Sequence, residues 1–156
     1  LYFQLSLKRI YLECGGLEEV FAKGFARDNS VFSAIKYFRE EFLALPHPTR
    51  VEKHLPNVDK GSAAKRINMF LRWMVRRDDL GVDFGLWHSI PTSALMLPLD
   101  VHAANISRRL GILLHPKNDR RAVEEVTAYL RRLDSQDPVK YDFALFGEGV
   151  FDGKEI

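Results

Sequence analysis

Two residues of this sequence have the types that phosphate binding or covalent catalysis would need. Lys65 stands in KGSAAKRINMFLRWMVRR, residues 60–77, and Asp100 in LPLDVHAANISRRLGI, behind a proline and ahead of an amphipathic run. A lysine near a helix start can reinforce the N-terminal field in phosphate binding. It can also act as a nucleophile once its amine is neutral, a form that burial and neighbouring cations (here Lys60 and Arg66) favour. The plain alternative is a solvated lysine on a basic face. Asp100 has two readings as well. A carboxylate at a helix start accepts from free backbone N–H groups and is favoured by the helix dipole, which suits a group that must stay negative beside a developing cation. It is equally the pattern of an ordinary N-cap. His102, two residues further on, is either a phosphate contact or a hydrogen-bonded core residue.

The remaining chemistry is narrowed by what the chain lacks. A single cysteine, Cys14, excludes an internal disulfide and any cluster built on several cysteines. The spacing of His47, His54, His88, His102 and His115 suggests no metal site, and no phosphate-loop, dinucleotide or serine-hydrolase signature is present. No metal or cofactor is expected. The net charge is only +2, so any acidic partner must be met by local clustering. Residues 60–77 provide such a cluster, with six Lys or Arg and no acid. Lys65, Arg72 and Arg76 fall on one face at helical spacing, Lys60 and Arg66 add to the cluster as further candidate contacts, and nucleic-acid binding needs Arg108 and Arg109 to converge on the stripe. The last-turn arginines could equally serve only to offset the helix dipole. No apolar run is long enough to span a membrane and no secretory signal is visible, so a cytoplasmic protein is expected.

These residues must be positioned by helices. The 156 residues suit one domain, and 46% are apolar, ample for a core. Residues 1–13 read as a helix stopped by Gly15-Gly16, and residues 17–26 as a short second helix. A third runs from the capping cluster Asp28-Asn29-Ser30 through residue 45 and is ended by Pro46 and Pro48. Residues 46–59 form a polar connection. The Lys65 helix over 60–77 buries Ile67, Phe70, Leu71 and Met74. An irregular aromatic stretch follows, with a short helix at 91–95. The apolar Leu-Met-Leu-Pro-Leu run then enters as a buried, strand-like segment, and the Asp100 helix ends at Gly111. Helices over 118–134 and 137–150 complete the chain, the second opened by Asp137-Pro138. No repeat and no useful period-2 strand is found. The class is all-α, read as one domain over 1–156, with N-terminal helices over 1–45 and a helical core over 46–156.

HLPNVDKGSAAKRINMFLRWMVRRDDLGVDFGLW, followed by LPLDVH and DPVKYDFALFGEGV, resembles a bacterial family of uncharacterised proteins known as domain of unknown function 2400, or DUF2400. The resemblance covers most of the chain. Family members extend further toward the N-terminus, which marks this chain as a truncated form that could pair with another copy as a homodimer. LYFQ at residues 1–4 resembles the remnant of a cleavable tag, yet LYFQLSLKRIY also fits the family's helix at that point.

A more distant resemblance concerns function. LPNVDKGSAAKRINMFL is similar to the helix-hairpin-helix and following helix of DNA glycosylases related to endonuclease III, which read L-P-G-V-G, then K-T-A-N-V-V-L, then V-D-T-H. Leu55-Pro56-Asn57-Val58-Asp59 stands at the hairpin, Lys65-Arg66-Ile67-Asn68 at the lysine helix and Leu99-Asp100-Val101-His102 at the aspartate motif. The separation of Lys65 from Asp100 is similar to that in archaeal 8-oxoguanine glycosylases. The resemblance implies a glycosylase-like helical bundle, a double-stranded DNA partner, Lys65 as a Schiff-base nucleophile and Asp100 as the catalytic aspartate. Trp73, Phe84, Trp87 and Tyr141 are then candidates to stack on an extruded base, or else core residues. The rival expectations are a non-catalytic nucleic-acid-binding helical module and a protein-interaction domain presenting FLRWM and DFGLW.

Overall fold

A computed structural model of the chain describes residues 1–79 and 81–151. Seven α-helices run through it: α1 (Tyr2–Glu13), α2 (Leu17–Phe25), α3 (Val31–Phe42), α4 (Lys65–Val75), α5 (Val101–Arg109), α6 (Arg120–Leu133) and α7 (Asp142–Phe151). Short 3-10 turns separate them, and the described residues contain no strand, only an isolated antiparallel bridge between Arg77 and Phe84. The class is all-α. Among the described residues no helix is long and apolar enough to cross a membrane.

Each helix starts and stops where local chemistry demands. Gly15 and Gly16, both at positive φ, close α1. The Gly16 N–H bonds back to the Ile10 carbonyl at 3.0 Å. Ser30 caps α3 through the Phe32 N–H, and Asp119 caps α6 through the Arg121 and Ala122 N–H groups. α3 ends at Phe42, ahead of the expected residue 45. The Leu43 N–H closes its last turn, and the Tyr2 hydroxyl takes up the Phe42 and Leu45 carbonyls. α4 begins at Lys65, five residues later than expected, because Gly61 and Ala64 both adopt the left-handed conformation.

The core is a continuous aromatic and aliphatic mass. Phe21 of α2 stacks on Phe38 of α3, with ring centroids 4.7 Å apart. Trp87 joins that pair to Phe70 of α4, at 5.7 and 5.3 Å. The DFGLW segment folds back over the C-terminus of α4, where free carbonyls need donors. Phe84 N–H donates to the Trp73 carbonyl at 2.7 Å and Trp87 N–H to that of Met74 at 2.8 Å. Residues 95–99 are extended and bury Leu95, Leu97 and Leu99, as the run ahead of Asp100 predicts. Having no sheet to pair with, this backbone is satisfied by local turns, in which the Leu95 N–H donates to the Thr92 carbonyl and the Leu99 N–H to that of Leu97, and by side chains. Thr127 Oγ1 accepts from the Leu97 N–H, and the Arg131 guanidinium donates to the Ser93, Ala94 and Leu95 carbonyls.

α2 and α3 approach so closely at Gly24 that a β-carbon there would lie 2.7 Å from both Ala34 Cα and Tyr37 Cβ. Gly24→Ala is expected to force these helices apart and lower stability by about 1–3 kcal/mol, read from a urea denaturation midpoint. An unchanged midpoint would show that the helix pair can slide without cost.

Candidate active site

The turn ahead of α4 sets the position of Lys65. Asn57 accepts from the Asp59 and Lys60 N–H groups and so stands in for the tight backbone of a glycine hairpin. Gly61 turns the chain at φ 84°, and its carbonyl accepts from the Arg120 N–H, which docks the start of α6 on the turn. Ala64 follows at φ 49°. A non-glycine residue there is strained and persists only where its surroundings hold it. Ser62 Oγ accepts its N–H, and Asn68, buried one turn into α4, donates to the Ala63 carbonyl at 3.0 Å. The first helical residue after this strained turn is Lys65.

Asp100 is the N-cap of α5. One carboxylate oxygen accepts from the Ala103 N–H at 2.7 Å. The other faces Lys65, with Nζ 3.7 Å from Oδ2. The cap and the proposed chemistry are therefore compatible, since they use different oxygens. The Lys65 side chain is 46% exposed and that of Asp100 21%, so the pair lies at the surface of a recess and the expected burial of the amine is only partial. Two recesses meet at it. One, of about 510 Å³, is bounded by Gly61–Lys65, Leu99–Val101 and Asn118. The other, of about 230 Å³, is bounded by Lys65, Met69, Arg72, Pro98, Asp100, Asp142 and Phe143.

Beneath the second recess lies a buried charge network. Arg72, only 4% exposed, donates to Asp83 at 3.1 Å and to Asp142. Arg76 donates to Asp83 at 2.8 Å, to Asp137 at 2.9 Å and to Asp78 at 3.2 Å. Burial raises the Asp142 carboxyl to about 6 although Arg72 opposes the shift; nearby Asp100 reinforces it and Lys65 opposes it.

The other expected contacts are placed less favourably. Lys60 and Arg66 are exposed. Arg72 and Arg76 are drawn into the acidic network, which corrects the expectation of a basic stripe along α4. The aspartates that take them up are 2 to 70 residues away in sequence. His102 is exposed in the first turn of α5, so it is not the hydrogen-bonded core residue weighed above. Arg108 clamps the next loop through the His115 and Lys117 carbonyls and Asn118 Oδ1. Trp87 belongs to the core, 9% exposed, and not to a base pocket. Trp73 and Phe84 are exposed beside one another at the far end of α4, and Tyr141 is half-buried with Lys140 over its ring. None of these four lines either recess.

Two residues that the sequence reading passed over do line the smaller recess: Asp142 and the exposed Phe143, with the Arg72 guanidinium 4.7 Å from its ring centre. Both lie in the DPVKYDFALF string. That string signals a helix opened by Asp137-Pro138. In the structure Pro138–Tyr141 form a 3-10 turn, and α7 proper begins at Asp142. Among the described residues no group of three or more His, Cys, Asp or Glu is arranged to hold a metal ion.

A family model described as protein of unknown function, DUF2400, matches residues 1–151. No curated protein and no solved structure matches the chain.

Proposed function

The chain belongs to the DUF2400 family of proteins of unknown function, and on that footing we propose that it is a DNA-repair enzyme, a base-excising glycosylase with abasic-site lyase activity. The observation that carries the reading is the 3.7 Å approach of Lys65 Nζ to Asp100 Oδ2 at the mouth of two recesses, each residue being the first or the capping residue of its own helix. The fold this reading implies is the helix-hairpin-helix arrangement, with the Asn57–Gly61 turn as hairpin and α4 as the lysine helix.

The duplex is bent and the damaged nucleotide turned out of the stack. Loss of the base builds positive charge on the sugar, which Asp100 stabilises at close range. Lys65 attacks the sugar carbon, forms an imine, and opens the way to strand cleavage by β-elimination. Lys60 and Arg66, exposed next to the nucleophile, are placed to meet backbone phosphates. Asp59, the acid in the hairpin, is paired with Lys36 at 2.8 Å, which offsets its repulsion of such a phosphate.

The test is covalent trapping with borohydride on a duplex carrying one abasic site. An adduct that requires protein and reductant supports the reading. Salt-dependent DNA binding with no adduct would instead mark a non-catalytic binding module, and absence of both a protein-interaction domain. Asp100→Asn separates cap from chemistry. Asparagine caps as well as aspartate, so the melting temperature is expected to hold. The trapping rate is expected to fall about a hundredfold or more as the negative charge is lost. A fall in melting temperature with unchanged trapping would reduce Asp100 to a cap.

A further inference from the structure

We propose that Asp142 is the proton carrier of this recess, accepting the proton that Lys65 sheds and returning it to the hydroxyl that leaves as the imine forms. The inference rests on the lyase reading above and deepens it. Imine formation needs a group that both accepts and donates a proton. Asp100 already has two duties, one oxygen accepting from the Ala103 N–H and the other facing the amine and the charge that develops beside it, which leaves the proton to a second carboxylate of the recess. Asp142, the first residue of α7, lines the same 230 Å³ recess as Lys65 and Asp100. Its side chain is 11% exposed.

The guanidinium that anchors it is shared. Arg72 Nη1 donates to Asp142, but Nε of the same guanidinium is held by Asp83, a carboxylate with no exposed surface. Arg76 also donates to Asp83 and is divided further between Asp137 and Asp78. Asp142 thus receives part of one charge while desolvated, and its carboxyl is pushed up to about 6. That affinity lets one group run both halves of a proton transfer near neutrality. The charged groups acting on it come from three directions: Lys65 and Arg72 on α4, Asp100 at the start of α5, and Asp83 through Arg72. α5 also carries His102, Arg108 and Arg109. Just ahead of α7, Lys140 pairs with Asp134.

The step balances. The Lys65 ammonium gives one proton to the Asp142 carboxylate, and the free amine pair bonds to the aldehyde carbon of the ring-opened abasic sugar. The carbonyl pair moves to oxygen, which takes a second proton from the same nitrogen to leave a carbinolamine. The carbon–oxygen bond then breaks as Asp142 returns its proton, so the hydroxyl departs as water and a protonated imine remains. Moving a proton from ammonium to carboxylate cancels an ion pair, and the burial of the Asp142 side chain favours that change.

The experiment measures the rate of cyanoborohydride trapping on a single-abasic-site duplex from mildly acid to mildly alkaline solution, for wild type, Asp142→Asn and Asp142→Glu. The wild-type rate is expected to rise with pH through about 6, as the carboxyl ionises to its accepting form. Asp142→Asn should lose that rise and trap about 10- to 100-fold more slowly on the plateau. Asp142→Glu should restore part of the rate together with a displaced rise. The inference is overturned if either variant keeps the wild-type rise in place, whatever its plateau, because a merely structural carboxylate would leave the profile unmoved. Should Asp142→Asn fail to fold, the position of the rise in Asp142→Glu decides alone. Absence of trapping by the wild type at every pH overturns the lyase reading itself, and the inference with it.

Discussion

Lys65→Gln is expected to abolish the borohydride-trapped adduct on abasic duplex, a loss of at least about a thousandfold, because no other group of the recess can supply the nitrogen of the imine. The protein should otherwise be undisturbed. Lys65 is half exposed, its ion pair with Asp100 is at 3.7 Å, and it follows a turn held by Asn57, Gly61, Ser62 and Asn68 and not by its own side chain. A surface pair of this kind contributes about 0–1 kcal/mol, so the melting temperature should change little. DNA binding should weaken modestly, with a salt dependence shallower by about one charge if the amine also meets a phosphate. An undiminished adduct in Lys65→Gln would remove Lys65 from the chemistry altogether. This variant tests bond formation directly, whereas the Asp100 and Asp142 variants test charge and proton supply around it.

The second large effect is on stability. Arg72→Ala is expected to cost about 3–5 kcal/mol, since it leaves two buried carboxylates short of their cation. Asp83 would retain Arg76, but Asp142 would lose the one guanidinium that reaches it among the described residues. Against the about 5–15 kcal/mol that holds a typical domain together, that is a large share. The loss should also depend on pH. Asp142 binds its proton more tightly folded than unfolded, with a carboxyl raised from 3.8 to about 6. Its stabilising contribution is therefore complete below 3.8 and disappears as the pH rises through about 6. Without Arg72 the ionised form is still less welcome, so the variant should be closest to wild type in acid and furthest from it above neutrality. Urea unfolding at two pH values measures this. A uniform small loss would show that the network is wet enough to need no cation.

Most helix boundaries could be read from local chemistry. Gly15-Gly16, Ser30 and Asp119 each act through groups within six residues of themselves, and the helices begin or end at them as expected. The end of α3 and the starts of α4 and α7 were the exceptions, and α4 shows the reason most plainly. The first residues of KGSAAKRINMF suit a helix individually, but Gly61 and Ala64 are turned left-handed by contacts with Asn57, Ser62, Asn68 and the start of α6. The last of these partners lies 59 residues downstream. The capping role of Asp100 was equally plain in PLDVH, because a cap is a bond to a backbone three residues away.

The roles of the arginines were not legible. On α4, Arg72 and Arg76 repeat at helical spacing with Lys65 and suggest one basic face. The period of a helix specifies which residues share a side, and not what covers that side. Asp137 and Asp142, from the far end of the chain, cover it and convert two expected phosphate contacts into a buried network. The same fold-back brings Phe143 to the recess, while Trp87 packs into the core against Phe21 and Phe70.

What the sequence by itself determined, then, are the family, the all-helical class, the caps, and the residue types able to do chemistry, Lys65 and Asp100. These depend on short-range bonds and on composition, which are fully present in the string of residues. Only the tertiary structure decided that this amine and this acid stand 3.7 Å apart, that Asp142 joins them, and that desolvation raises its proton affinity. Proximity and burial are properties of packed helices separated by tens of residues, and no local pattern encodes them.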